Sequence, residues 1–330
     1  MRVVVCPDKF AGTLSAPQAA DAIRAGWLRA RPADRVTCIP LADGGPGFVE
    51  VLHANLGGTW HEVTVEDPFG RQVRARWLQV GEVAYVEAAQ ANGLSLLAPE
   101  ERDPWRASTA GVGQLIEAAR GCERIIVGLG GSATNDGGRG AFEALRGREV
   151  PGLILATDVD SPLLGADGAT YMFAVQKGAA PADLPRLEER MRQWAARDPR
   201  LAQAPGAGAA GGLGFGLMLL GGVRVSGFEV VAQAVGLATA CATADVVVTG
   251  EGKFDRQSLR GKVVSGVRAH AARLVVLAGQ ISVEEPGVQA HSLVDFAGDR
   301  AFSEPAAALA DLAARVAQSA QKDSERPNQR

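Results

Sequence analysis

The sequence predicts an α/β protein of two domains, one a parallel sheet with helices on its faces that is built from both chain ends, the other a mixed α/β domain inserted in it. Three observations carry this. Apolar runs alternate with helix-period segments at the start, and the alternation returns from Val246 onward. Between these regions the pattern changes to period-two segments joined by tight turns. The length of 330 residues also exceeds a typical single core. The expected boundaries are 1–61 with 229–330 for the discontinuous domain and 62–228 for the insert.

The first element is the strand "RVVVC", followed by a helix in "AADAIRAGWLRA" that starts at Ser15 and Pro17. Ala19, Ile23 and Trp27 recur every fourth residue and define its buried face. "VTCIPLA" reads as a second strand and "GPGFVEVLHANLGG" as a second helix closed by Gly57. Then Val63 and Val65 alternate with polar residues, "DPFG" is a turn, and Val73, Ala75 and Trp77 share one face of the next strand, so antiparallel pairing begins here. The second parallel stretch contains "DVVVTG", a helix near "GKVVSGVRAHAAR", then "LVVLAG" and "LVDFA" before an Ala-rich final helix.

A net charge of −3 and a pI of about 5.9 leave no electrostatic footprint for nucleic acid or anionic membrane. The expected partners are small molecules or further copies of the chain. Cys6, Cys38, Cys122 and Cys241 are scattered, which supports neither a zinc site nor a disulfide framework and fits a reducing cytoplasm. "MRVVVCPDKF" is too short an apolar run for a leader, and "LGFGLMLLGGV" is well below the roughly 20 residues of a membrane span. A cytoplasmic protein is therefore expected.

The densest chemical signal is "VGLGGSATNDGG", with five glycines among Ser132, Thr134, Asn135 and Asp136. So much bare backbone implies close approach of something to the main chain, and free N–H groups ahead of a helix can hold phosphate oxygens. Gly128, Gly130, Gly131, Ser132, Thr134, Asn135 and Asp136 are the candidate cofactor contacts, with helix capping an equal alternative for Asn135 and Asp136. Gly128, Gly130 and Ala133 also satisfy a relaxed dinucleotide pattern with Glu149 downstream, but the helix that should start at once is delayed. "PGAGAAGG" offers G-x-G-x-x-G at Gly206, Gly208 and Gly211 without a preceding strand. An NAD-linked oxidoreductase is thus a minor alternative, and no P-loop motif occurs.

Acids and bases cluster at predicted strand ends. Asp43 in "PLADGGPGF" would project where open α/β sheets bind ligands, or serve only as a turn residue. Asp8 and Lys9 in "CPDKFAG" occupy the equivalent place after the first strand. Asp158 and Asp160 stand two apart in "ATDVDSPLLG", on one face if the strand continues. Lys177 lies beside a glycine in "FAVQKGA", and "TGEGKFDRQSLRGK" crowds Glu251, Lys253 and Asp255 with Ser258, Arg260 and Lys262.

Taken in order, "PDKFAGTLSA", "PLADGG", "VEAAQANGL", "STAGVGQLI", "GLGGSATNDGG", "DVDSPLLG", "QKGA", "PGAGAAGGLG" and "TGEGKFDRQS" resemble the glycerate kinase family over nearly the whole chain. The resemblance implies phosphate transfer from ATP to D-glycerate with Mg2+, on two α/β domains of which one is Rossmann-like, with a flavodoxin-like parallel sheet. It departs at Ala11, where the family often has lysine, and at Pro46 and Phe48, where an acid and a hydroxyl are common. Those departures suggest altered acceptor preference, or a ligand-binding relative without turnover. Under the kinase reading the candidate catalytic residues are Asp43, Asp8, Lys9, Asp160, Lys177 and Lys253. The candidate metal residues are Glu251 and Asp255, and Gly208 and Gly211 join the cofactor contacts.

Overall fold

The computed structural model describes residues 1–256, 258–259 and 263–324. Arg260 and Lys262 lie outside the described residues. In chain order the strands are β1 (Arg2–Val5), β2 (Arg35–Cys38), β3 (Thr59–Glu66), β4 (Gln72–Val80), β5 (Val83–Glu87) and β6 (Arg124–Gly128). They continue as β7 (Leu153–Ala156), β8 (Val223–Val225), β9 (Val246–Phe254), β10 (Leu274–Ile281) and β11 (Gln289–Ser292). Two compact units result: Met1–Ala42 with Val231–Arg330, and Asp43–Val230.

The unit made from both chain ends holds a sheet of order β11-β10-β9-β1-β2 with every pairing parallel. Val3, Val5, Val246, Val248, Val275 and Leu277 fill its core together with the face of helix Ala16–Ala30 that carries Ala19, Ile23 and Trp27. That helix begins with a capping box in which Ser15 accepts from the Gln18 N–H and the Gln18 side chain accepts from the Ser15 N–H. It packs along helix Pro305–Ser324 closely enough that a Cβ on Gly26 would fall 1.9 Å from the Ala310 carbonyl oxygen. "LVDFA" is a short helix, Leu293–Ala297, and the edge strand is the preceding "QAHS", whose ladder to β10 ends at Ser292 as that residue caps the helix.

The other unit holds a sheet of order β3-β4-β5-β6-β7-β8, antiparallel from β3 to β5 and parallel from β5 to β8. Its core joins Val86, Val127 and Leu155 of the parallel strands to Val112, Leu115 and Ile116 of helix Ala110–Ala118. This unit begins at Asp43, earlier than the expected boundary at residue 62. The reason is helix Phe48–Leu56: its apolar face, with Phe48 edge-on to Tyr85 at 6.2 Å, belongs to the mixed sheet rather than to the strand that precedes it. Sequence order placed the helix with β2, whereas burial placed it with β5.

The dinucleotide pattern fails in both places. After β6 the next helix starts only at Arg139. The Gly206 pattern follows the short helix Pro199–Ala202 and not a strand. Among the described residues no helix is long and apolar enough to cross a membrane, and the four cysteines are free thiols.

Candidate functional site

In the Asp43–Val230 unit the parallel strands β5, β6 and β7 end along one edge of the sheet, and the two glycine loops meet there. Gly44, at φ +88°, lies so close to β7 that a Cβ would fall 2.4 Å from the Ala156 carbonyl oxygen. A Cβ on Gly128 would fall 2.6 Å from the Gly44 carbonyl oxygen, and one on Gly130 would fall 2.6 Å from Gly45 Cα. Gly131 faces the Pro46 ring in the same way, at 2.6 Å. The close approach that the glycines imply therefore includes the chain's own second glycine loop. Glu87, at the end of β5, accepts from the Gly47 N–H at 2.9 Å and pins that loop down.

Asp43 sits half-buried at the head of this loop and accepts from the Gly45 N–H at 3.0 Å, an Asx-type turn that leaves further lone pairs. Asp158 is its electrostatic neighbour. Burial pushes the Asp158 carboxyl up; hydrogen bonds from Ser226 and Phe228 oppose this, and the charge of Asp43 adds to it. Asp158 accepts from the Ser226 hydroxyl at 2.6 Å and from the N–H groups of Gly227 and Phe228 at 3.0 and 3.2 Å, capping helix Gly227–Ala234. The expected pairing of Asp158 with Asp160 does not form. Strand β7 stops at Ala156, so the two side chains diverge, and the 78% exposed Asp160 pairs with Arg224 at 2.6 Å.

Lys177 is the most unusual group of the site. Its side chain is buried, and Nζ donates to Ser132 Oγ at 2.8 Å and to the Thr134 carbonyl at 2.7 Å. No ion pair of Lys177 occurs among the described groups; burial drags its pKa down to about 7, with Asp136 pulling weakly the other way. The Lys lies on a single turn, Val175–Lys177, closed by Gly178 at φ +101°. Gly211, at φ +70°, completes the enclosure: a Cβ there would fall 1.8 Å from the Thr134 carbonyl oxygen and 2.8 Å from Nζ.

The remaining loop residues divide by role. Asp136 accepts from the Thr109 N–H and hydroxyl and from the N–H groups of Gly138 and Gly140, at 2.8–3.1 Å, so its carboxylate organises the start of helix Arg139–Ala144. Asn135 is fully buried and donates to Thr170 Oγ1 at 3.3 Å, while Arg190 holds the Asn135 carbonyl at 2.8 Å. Gly208 packs on the chain ahead of it, since a Cβ would fall 2.2 Å from the Pro162 carbonyl oxygen. Asn92 and Arg190 escaped the residue-by-residue reading. Asn92 is fully buried and donates to Thr134 Oγ1 at 3.4 Å, and the fragment "VEAAQANGL" was the only signal for it.

The unit built from both chain ends presents a second charged edge. Asp8 and Lys9 follow β1; the Asp8 N–H donates to the Gly250 carbonyl at 2.8 Å, and Asp8 Oδ1 accepts from the Lys9 N–H at 2.7 Å. On β9, Glu251 is buried, whereas Lys253 is exposed and stands 3.9 Å from Asp255. Among the described residues no three or more His, Cys, Asp and Glu side chains form a ready-made metal cage. Oxygen donors in ones and twos suit Mg2+ only as an ion shared with phosphate and water.

The model of the Glycerate kinase family matches residues 3–150 and 146–322. The chain is 35% identical to the glycerate 2-kinase of Escherichia coli strain K12, with 89% of each chain covered. It is 43% identical to an uncharacterised protein of Mycobacterium bovis, over 96% of this chain and 91% of that one. The crystal structure of a candidate glycerate kinase 2 from Salmonella typhimurium LT2 superposes with a TM-score of 0.82 at 32% identity, covering 99% of this chain and 100% of that one. With a whole-length family match and curated kinase relatives on the same fold, this chain belongs to the glycerate kinase family.

Proposed function

We propose that the protein catalyses ATP-dependent phosphoryl transfer to a hydroxyl of D-glycerate, with 2-phosphoglycerate as product. Family membership supports the reaction class, and the name of the Escherichia coli relative supports the 2-position. The observation that carries the site assignment is the buried ammonium of Lys177, held by Ser132 and Thr134 with no carboxylate bonded to it among the described residues. A desolvated cation kept short of a counter-ion is costly unless an anion completes it, and both reactants are anions.

In this reading the loop Gly128–Asp136 and Lys177 hold an anionic group, either a phosphate or the glycerate carboxylate. Asp43 orients the acceptor hydroxyl and takes its proton as the new O–P bond forms and the bond from the γ-phosphorus to the bridging oxygen breaks, releasing ADP. Asp8 and Asp160 are the alternative bases, and the exposed ion pair of Asp160 ranks it last. Lys9 and Lys253 neutralise phosphate charge. Mg2+ bound through Glu251 or Asp255 would neutralise phosphate oxygens. Catalysis is then mostly positioning and charge neutralisation.

The test is a coupled ADP-release assay with D-glycerate, together with phosphorus NMR of the product. Turnover that needs both substrates and gives the 2-phosphate is expected, and Asp43→Asn should lower kcat by about 10²–10⁴-fold. A near-wild-type rate in that variant rejects the role of Asp43, and a 3-phosphate product rejects the regiochemistry.

A further inference from the structure

We propose that the unit built from both chain ends carries a purine-base slot at the C-terminal ends of β9 and β10. The slot is a cavity of about 180 Å³ whose lining includes Gly252, Gly279, Gln280, Leu293, Val294 and Phe302. It deepens the kinase reading by naming where the base of the nucleotide docks.

Four features select the occupant. First, the sheet order β11-β10-β9-β1-β2 reverses direction between β1 and β9, and ligands of open α/β sheets bind outside the strand ends at such a reversal. Phe10 and Ala11, which follow β1, line the cavity opposite Gly252 of β9, and a Cβ on Gly252 would fall 2.9 Å from the Ala11 nitrogen. Secondly, the size suits one flat ring system. An apolar cavity of about 150 Å³ takes a benzene ring, whereas whole drug-sized ligands need about 300 Å³ or more.

Thirdly, the walls are chemically matched to a base. Phe10, Leu293 and Ala301 are buried apolar residues, but Phe302 is 61% exposed at the rim. An aromatic ring left out of the core beside an apolar slot is placed to stack on a base face. The exposed carboxamide of Gln280 offers both a donor and an acceptor to a base edge. Fourthly, two of the lining residues have a lysine as their immediate chain neighbour: Lys9 precedes Phe10 and Lys253 follows Gly252. Basic residues next in the chain to the lining of an apolar slot suit a nucleoside phosphate, an apolar ring joined to an anionic tail.

The test compares binding of ADP and of inorganic tripolyphosphate by calorimetry in the wild type, Phe302→Ala and Val294→Phe. Phe302 is exposed, so its truncation leaves the core intact. Phe302→Ala is expected to weaken ADP about tenfold, and Val294→Phe, which narrows the slot, to weaken it at least as much. Tripolyphosphate affinity and the KM for glycerate should stay within twofold. If both variants bind ADP as the wild type does, the slot is overturned while turnover by the wild type leaves the kinase reading standing. If the wild type binds ADP in a Phe302-dependent way but phosphorylates nothing, the slot stands and the kinase reading falls. No ADP binding by the wild type overturns the slot outright.

Discussion

On β9, Lys253 is 59% exposed and stands 3.9 Å from Asp255; in the Asp43–Val230 unit, Lys177 is 3% exposed and bonded to Ser132 and Thr134. Both lysines lie beside glycines in segments that read alike in sequence. At β9 water screens the charge and the ion pair contributes little. At Lys177 the surroundings withdraw water without a carboxylate bonded to it among the described residues, and the protonation equilibrium moves to about 7. The difference teaches that a glycine neighbour does not set a lysine's chemistry; the packing around its charged atoms does.

Removing the buried charge tests that contrast most severely. Lys177→Met should lower kcat/KM for glycerate phosphorylation by about 10²–10³-fold, the loss typical of one preorganised electrostatic contact. Steady-state kinetics on a variant with a native circular dichroism spectrum checks it, and a change below threefold would put Lys177 on a par with a surface lysine.

The enclosure can be broken without touching the charge. Gly211→Ala places a Cβ against the Thr134 carbonyl at a backbone angle that L-residues rarely adopt, so urea denaturation should show a loss of about 3 kcal/mol. A loss below 1 kcal/mol would mean that the loop relaxes freely and does not hold Lys177 rigidly.

The pH dependence sharpens the same point. The folded-state pKa of Lys177, about 7, lies below its ordinary 10.5, so between these values the unfolded chain binds the additional proton. Stability should rise with pH across that window, by about 1.4 kcal/mol per pH unit relative to Lys177→Met. Parallel slopes for the two proteins between pH 7.5 and 9 would show that the ammonium is not desolvated. Lys253→Ala makes the smallest change, within about 0.5 kcal/mol of wild-type stability. A larger loss would show that the exposed edge is also held by its charges.

Much of the fold was legible because each element announces itself locally. The β-branched runs of β1, β9 and β10, the capping signal at Ser15 and the "DPFG" turn all rest on short-range backbone preferences. The affiliation of helix Phe48–Leu56 was not legible, because period and caps are the same whichever sheet buries the helix. At the site, the loop Gly128–Asp136, Asp43 and Lys177 were visible as residues. Asn92, Arg190 and the part of the Asp136 cradle supplied by Thr109 were not, since their partners are 27 or more positions away along the chain.

Composition, periodicity and ordered motifs by themselves determined the α/β class, the return to a parallel sheet near the C-terminus and the family resemblance, because these depend on local backbone preference and side-chain pattern. Only the tertiary structure decided that Asp158 caps a helix while Asp160 faces solvent, and that Lys177 is desolvated while Lys253 is not. Burial and electrostatic environment are properties of neighbours in space, and a sequence order does not contain them until the chain has packed.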